Sequence, residues 1–102
     1  MYSARDQVEN AEWLDEIEAT GERLDLDPSV RSRAADLFLS NVPETERSKR
    51  AVLATSLYVA GLVEGDRRSQ EAVADAAGVS RLTIQQRWKE LLEGEGLDAP
   101  GW

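Results

Sequence analysis

Residues 51–63 read AVLATSLYVAGLV, and this apolar stretch decides the fold. A helix built from it has apolar or small side chains on nearly every side, so other helices must surround it. It is too short to cross a membrane, which takes roughly 20 apolar residues. The stretch therefore predicts the central helix of an all-α bundle. Its small residues would let neighbouring helices approach closely: Ala51, Ala54, Ser56, Ala60 and Gly61.

Two amphipathic helices are predicted before the central helix. Apolar or small residues recur every three or four positions from Ala11 to Leu24, and acidic residues take the other sides. Asp27 and Pro28 then supply an N-cap and a proline at the first helical position. The second helix is expected to stop around Asn41. Its inward stripe is Val30, Ala34, Leu37 and Phe38.

Serine and glycine residues delimit the later helices. Ser48 is the expected cap of the central helix, and Gly65 with Asp66 ends it. A short fourth helix is predicted over residues 70–77 and a fifth over residues 81–93. The caps of these two helices are Ser69 and Ser80, and their stops are Gly78 and Gly94. The prediction is a single five-helix domain without strands.

Composition excludes most enzyme chemistry. The chain has 102 residues with no cysteine and no histidine, so thiolate nucleophiles, imidazole bases and zinc ribbons are excluded. Adjacent carboxylates such as Asp15 and Glu16 point in different directions on a helix and make no catalytic pair. We therefore expect no catalytic residue, no metal, no cofactor, no small-molecule substrate and no membrane partner.

The formal net charge of −8 is unevenly distributed. Residues 1–46 carry 12 acidic and four basic side chains, whereas residues 47–92 carry eight basic and five acidic ones. Because the field that steers a charged partner is local, the basic second half is the expected functional region. Ten arginines accompany only two lysines, a composition that resembles salt-adapted proteins.

Residues 73–84, VADAAGVSRLTI, are typical of a helix-turn-helix. The motif needs a small residue where the helices cross, here Ala74, and a glycine at the turn, here Gly78. Apolar anchors at Val73, Val79 and Ile84 would set the crossing angle. Purely structural helical hairpins can mimic this pattern, so the fifth helix must decide between the two interpretations.

The fifth helix has an inward and an outward side. Ile84, Trp88, Leu91 and Leu92 are spaced to face inward. On the outward side, Leu82 suits contact with a thymine methyl group, and Gln85 or Gln86 suits the edge of adenine in a major groove. The predicted base-contacting residues are therefore Leu82, Gln85 and Gln86. The predicted phosphate-contacting residues are Arg81, Arg87, Lys89, Ser69 and Ser80.

Several segments between residues 48 and 92 resemble one family when taken together. They are SKRAVLA (48–54), LYVAG (57–61), RRSQEAVA (67–74), AGVS (77–80) and LTIQQRWKEL (82–91). In this order they resemble the second cyclin-like repeat of transcription factor IIB, most of all in its archaeal members. The salt-adapted composition adds the expectation of a haloarchaeal origin. The resemblance implies a five-helix cyclin fold. It also implies that the last two helices bind the recognition element beside a TATA box, together with TATA-box-binding protein.

Two departures from the family qualify this expectation. The family typically reads bases with a valine and, three residues on, an arginine, where this chain has Leu82 and Gln85. Losing that arginine removes a guanine-reading donor and implies a shifted preference, toward adenine. The family's zinc ribbon and first cyclin repeat have no counterpart in these 102 residues, so the repeat by itself would not recruit RNA polymerase.

The sequence thus predicts a cyclin-like domain over residues 1–94, with the helix-turn-helix at 69–93 and a flexible C-terminal tail at 95–102. The predicted function is promoter DNA binding with TATA-box-binding protein, in transcription initiation or its regulation. Other transcription machinery is a further candidate partner, and a cytoplasmic, nucleoid-associated location is expected. The alternative is a protein interaction module without DNA binding, using the acidic first helix and an exposed Trp13. Trp13 has a second interpretation, in which it is a partly buried anchor of the domain and not part of an interaction surface.

Overall fold

The computed structural model describes residues 10–43 and 45–96 of the chain. Over these residues it contains five α-helices and no β-strand. The helices are α1 (Ala11–Arg23), α2 (Pro28–Ser40), α3 (Glu46–Glu64), α4 (Gln70–Ala77) and α5 (Arg81–Gly94). The predicted all-α class, the helix order and the bounds of α4 are confirmed. α5 ends at Gly94, one residue later than predicted.

The central helix α3 is buried over two thirds of its length. Every residue from 51 to 62 is buried, and α3 packs against each of the other four helices. This arrangement follows from the apolar character of residues 51–63 on all sides. A left-handed Gly65, with φ of 76°, ends the helix as predicted.

The N-terminal cap of α3 differs from the prediction. Thr45 is the N-cap, and its hydroxyl accepts a hydrogen bond from the backbone N–H of Ser48 at 3.3 Å. The prediction that Ser48 caps the helix was therefore wrong. Thr45 takes this role because a cap side chain bonds the N–H two or three residues further on, which is where Ser48 lies.

The second helix follows the predicted boundaries. Asp27 occupies the N-cap position and Pro28 the first turn, although the Asp27 side chain makes no capping hydrogen bond. Asn41 closes the other end, where its side-chain amide donates to the carbonyl of Leu37 at 2.8 Å. The predicted inward stripe is buried in full: Val30, Ala34, Leu37 and Phe38.

Gly61 lets the chain after α3 pack directly against that helix. A Cβ atom at Gly61 would lie 2.9 Å from the backbone oxygen of Asp66, closer than real Cβ contacts. The Asp66 N–H also donates to the Gly61 carbonyl at 2.9 Å. At Gly61 the close approach is therefore made by the α3–α4 connection, whereas the prediction was of a neighbouring helix.

Arg68 ties the α3–α4 connection to the α1–α2 connection. Its guanidinium donates to the carbonyls of Leu24 and Asp25, both at 2.9 Å, and to the Asp66 carboxylate at 2.6 Å. The hydrogen bond from Arg68 lowers the pKa of Asp66 below its ordinary value of 3.8. Asp25, held in this way, has a left-handed φ of 56°. The start of α4 is therefore fastened to the first helical pair.

In the described ranges, no helix is long and apolar enough to cross a bilayer. The predicted tail over residues 95–102 lies outside the described residues from position 97 onward.

Candidate nucleic-acid interface

The last two helices and the turn between them form what we call the α4–α5 hairpin (residues 69–94). The Ser69 hydroxyl accepts from the N–H of Ala72 at 3.0 Å, and the Ser80 hydroxyl accepts from the N–H of Thr83 at 3.3 Å. Gly78 is left-handed with φ of 76°. Each of these residues therefore acts as the cap or turn residue that the sequence predicts.

The inward side of the hairpin fixes it to the core. Trp88 is buried and meets Tyr58 of α3 edge to face, with ring centroids 5.9 Å apart. The predicted anchors Val79 and Leu91 are only half-buried. The buried apolar residues of the two helices are Val73, Ala74, Ala77, Ile84, Trp88 and Leu92. The predicted inward side is otherwise confirmed.

The predicted base-contacting residues lie together on the exposed side of α5. Leu82, Gln85 and Gln86 are all exposed, and Leu82 is 55 % exposed. Leu82 is the exposed large hydrophobic residue among the described positions. With Lys89 they follow the spacing i, i+3, i+4 and i+7, so the four side chains share one stripe along the helix. We call Leu82, Gln85 and Gln86 of this stripe the reading face.

The predicted phosphate-contacting side chains flank the reading face. Arg81 is exposed and its guanidinium donates to the Gln70 side-chain oxygen of α4 at 3.4 Å. Arg87 is exposed on the side that faces α3. Lys89 is exposed, with its ammonium 5.6 Å from the centroid of the Trp88 ring. The structure thus brings three cations to the surface around the reading face.

The two predicted serines already have a structural role. The Ser69 and Ser80 hydroxyls accept from the backbone of their own helices, and the Ser80 hydroxyl also lies 3.0 Å from that of Thr83. A hydroxyl that accepts a hydrogen bond still has a proton to donate. Contact of either serine with a phosphate stays a prediction.

A cleft of about 760 Å³ runs beside the reading face. Its walls come from α1, the start of α3, the turn of the hairpin and α5. The residues that line it are Trp13, Ser48, Arg50, Ala51, Gly78, Val79, Ser80, Thr83, Gln86 and Arg87. The cleft therefore lies between the hairpin and the first three helices, α1 to α3, which we call the body of the domain.

Sequence reasoning missed the part of this cleft formed by Arg50. The available signal was the basic pair Lys49 and Arg50 in the first turns of α3. Cations there oppose the helix dipole, so their presence calls for another reason. In the structure Arg50 lies over the Trp13 ring at 5.3 Å and donates to the carbonyl of Ala77 at 3.0 Å.

Trp13 packs against the domain. It is half-buried and stacks on Phe38 with ring centroids 6.3 Å apart, and the Arg50 guanidinium lies over its ring. These contacts fit the interpretation of Trp13 as a partly buried anchor. An exposed tryptophan, on which the alternative interaction surface depended, is not what the structure shows.

Metal ligands do not cluster in the part of the chain that the structure describes. Among residues 10–43 and 45–96, no group of three or more Asp or Glu side chains could hold a metal ion.

Comparison with known proteins places these observations in a family. The family model described as "Transcription factor TFIIB repeat" matches residues 6–94. The chain is 33% identical over 89 residues to a protein of Pyrococcus abyssi named transcription initiation factor IIB, covering 84% of this chain and 30% of the relative. A Thermoplasma volcanium protein named transcription initiation factor IIB 1 is 39% identical over 74 residues, covering 70% of this chain and 24% of the relative.

A third relative, named transcription initiation factor IIB in Archaeoglobus fulgidus, is 38% identical over 79 residues, which cover 74% of this chain and 24% of that protein. The chain thus spans about 30% of the length of the first relatives it matches. The family match covers all five helices, including the α4–α5 hairpin. The chain belongs to the transcription factor TFIIB repeat family.

Proposed function

We propose that this chain binds promoter DNA through the α4–α5 hairpin, with α5 in the major groove, in transcription initiation or its regulation. In this role the hairpin is a helix-turn-helix and works together with TATA-box-binding protein. The proposal assigns the chain no catalytic, metal or cofactor role. It includes a location on the nucleoid, where promoter DNA is found.

The exposure of Leu82 is the observation that carries the proposal. A leucine that is 55 % exposed contributes little to packing in the free domain. Here it stands one turn before Gln85 and Gln86, whose amides can each bond an adenine edge at N6 and N7. An apolar side chain beside adenine readers suits the methyl group of thymine in the same or a neighbouring base pair.

The geometry of α5 supports its insertion into a groove. The reading face together with Lys89 spans residues 82–89, which at about 1.5 Å per residue is roughly 10 Å of helix. A major groove about 12 Å wide admits a helix and the side chains of its first turns. Beyond this face, Glu90 and Glu93 are exposed and would repel the DNA backbone. The N-terminal half of α5 is therefore the half that we assign to base contacts.

The flanking cations support the same orientation. Arg81 lies on the α4 side of the reading face, and Arg87 lies on the α3 side. Lys89 lies one turn beyond the glutamines. Phosphates line both edges of a major groove, so cations on both sides of a reading helix would supply affinity without sequence information. The involvement of TATA-box-binding protein rests on the family resemblance.

Fluorescence anisotropy with a labelled promoter duplex tests the proposal. The chain is titrated with and without TATA-box-binding protein, on a duplex with a TATA box and its upstream element and on a scrambled duplex. Potassium chloride is varied in each series, because phosphate contacts weaken as salt rises. We expect preference for the promoter duplex, and tighter binding when the second protein is present.

Each unfavourable outcome has its own meaning. Equal affinity for the two duplexes would remove base reading from the proposal and leave only phosphate contacts. No binding to either duplex at any salt concentration would contradict the proposal as a whole. A protein that binds the chain while DNA does not would favour the interaction-module alternative.

A further inference from the structure

Two arginines from outside the hairpin bind the end of α4. Arg23, the last residue of α1, donates from Nη1 to the carbonyl of Ala76 at 3.0 Å. Arg50, near the start of α3, donates from Nη1 to the carbonyl of Ala77 at 3.0 Å. These bonds join residues 53 and 27 positions apart in the chain. The end of α4 is therefore attached to two separate elements of the body.

The carbonyls involved are those that a helix leaves without a partner. The last four carbonyls of an α-helix lack an intrahelical donor. In α4 the first of them, on Ala74, accepts from the N–H groups of Gly78 and Val79 at 2.9 and 3.0 Å. The last two accept from the arginines. Positive charge at this position also complements the negative end of the helix dipole.

Arg50 is itself held in place by the body. Its guanidinium lies 5.3 Å from the centroid of the Trp13 ring and 3.8 Å from the carboxylate of Glu16. Its side chain is 40 % exposed, and its bond to Ala77 is partly buried. Three contacts on one planar group define its position more narrowly than one contact would. The Ala77 carbonyl therefore meets a donor of fixed direction.

We infer that Arg23 and Arg50 are positioning residues, which hold the end of α4, and with it the turn at 78–80 and the first turn of α5, in a fixed place against the body. The two residues act through the backbone of α4 and touch no base. Because the reading face begins at Leu82, only a few residues beyond the held carbonyls, the orientation of the reading face depends on these bonds. The effect of these bonds on DNA binding rests on the proposed function, whereas their effect on the position of the hairpin does not.

Amide hydrogen exchange tests the hairpin part without DNA. Arg50→Met and Arg23→Met each keep an aliphatic side chain and remove the donor. We expect the amides of Gly78 and Val79 to exchange faster, roughly tenfold in Arg50→Met, the size that loss of one charge-assisted hydrogen bond predicts. A smaller effect is expected in Arg23→Met, since its bond is exposed. Arg50→Lys restores a charged donor and should recover part of the protection.

Arg33→Met is the matched control. Arg33 lies in α2, and its guanidinium binds the Glu64 carboxylate at 3.0 Å, at the opposite end of α3 from Arg50. At about 1.5 Å per residue these two positions on α3 are roughly 20 Å apart. The control should leave exchange of the turn amides unchanged. The inference would be overturned if the turn amides exchanged at the same rate in Arg50→Met, Arg23→Met and Arg33→Met.

DNA binding supplies the second readout. A displaced reading face loses base contacts more than phosphate contacts, so Arg50→Met should reduce the ratio of promoter to scrambled affinity by roughly threefold to tenfold. If Arg50 contacted a phosphate instead, both affinities would fall equally and turn exchange would not change, which would overturn the inference. If the unmodified chain shows no DNA preference, the proposed function fails, and the exchange experiment alone decides the positioning role.

Discussion

The helices α3 and α5 differ in what determines their residues, because α3 is buried on all sides and α5 on one side only. α3 is buried from residue 51 to 62, whereas α5 buries Ile84, Trp88 and Leu92 and leaves its outer stripe exposed. In α3, size and shape decide which residue fits. On the outer stripe of α5, packing decides nothing, so the identity of Leu82 or Gln85 can report on a partner. On the proposed function, stability and recognition therefore depend on different helices.

The largest contrast is expected between one leucine from each helix. Leu53 is fully buried in α3, so Leu53→Ala leaves a cavity and should cost about 2–5 kcal/mol of folding free energy. Leu82→Ala removes a side chain from the exposed stripe and should change stability by no more than about 0.5 kcal/mol. Denaturant unfolding measures both values. Comparable losses in the two variants would mean that Leu82 has a packing role.

A pair of glycines tests the same separation at smaller scale. Gly61→Ala places a Cβ atom 2.9 Å from the backbone oxygen of Asp66, so it should cost about 2 kcal/mol through overpacking. Gly94→Ala, in α5, meets open space and should gain about 0.5 kcal/mol. Thermal unfolding of the two variants compares them directly. A neutral Gly61→Ala would show that the α3–α4 connection moves away easily.

On DNA, the reading face and the flanking cations should behave differently. Gln85→Ala should lower discrimination against a changed base pair by about 1 kcal/mol, roughly fivefold, with little effect on scrambled DNA. Arg81→Ala or Lys89→Ala should weaken binding to all duplexes and reduce the salt slope by about 0.9 for each lost contact. Arg33→Ala, in α2, is the control for charge alone. Anisotropy against potassium chloride concentration gives both quantities.

The smallest effect is expected at Asp66. Its pKa is lowered by the hydrogen bond from Arg68, so the stability that the carboxylate contributes is present above its unfolded value of 3.8 and is lost as pH falls below that. The stability difference between the unmodified chain and Asp66→Asn should therefore shrink in acid. In a chain that also carries Arg68→Met, Asp66→Asn should change the stability little at any pH. A difference that grows in acid would reverse the sign of the assignment.

Local sequence signals predicted the helices well. Ser69, Gly78 and Ser80 were assigned correctly because caps and left-handed turns depend on neighbours within four residues. The exposure of Leu82, Gln85 and Gln86 was also predictable, since periodicity alone separates the two sides of α5. Thr45 was missed because Ser48, three positions later, has the same capping chemistry.

Contacts between distant residues could not be predicted in the same way. The bonds from Arg23 and Arg50 to the end of α4 join elements that no periodicity relates. Gly61 indicated a close approach, but its partner, the Asp66 backbone, is defined only once the chain turns at Gly65. The base preference of Leu82 and Gln85 stays a prediction, as does the haloarchaeal origin.

Selection of sequences from a random duplex pool tests most directly the claim that the outer stripe of α5 reads bases. The unmodified chain, with TATA-box-binding protein present, should enrich a short motif rich in A·T pairs beside the TATA box. The variant Leu82→Ala/Gln85→Ala/Gln86→Ala keeps every flanking cation and should bind the pool without enriching that motif. Enrichment of the same motif by both proteins would contradict the account, because the bases would then be read elsewhere.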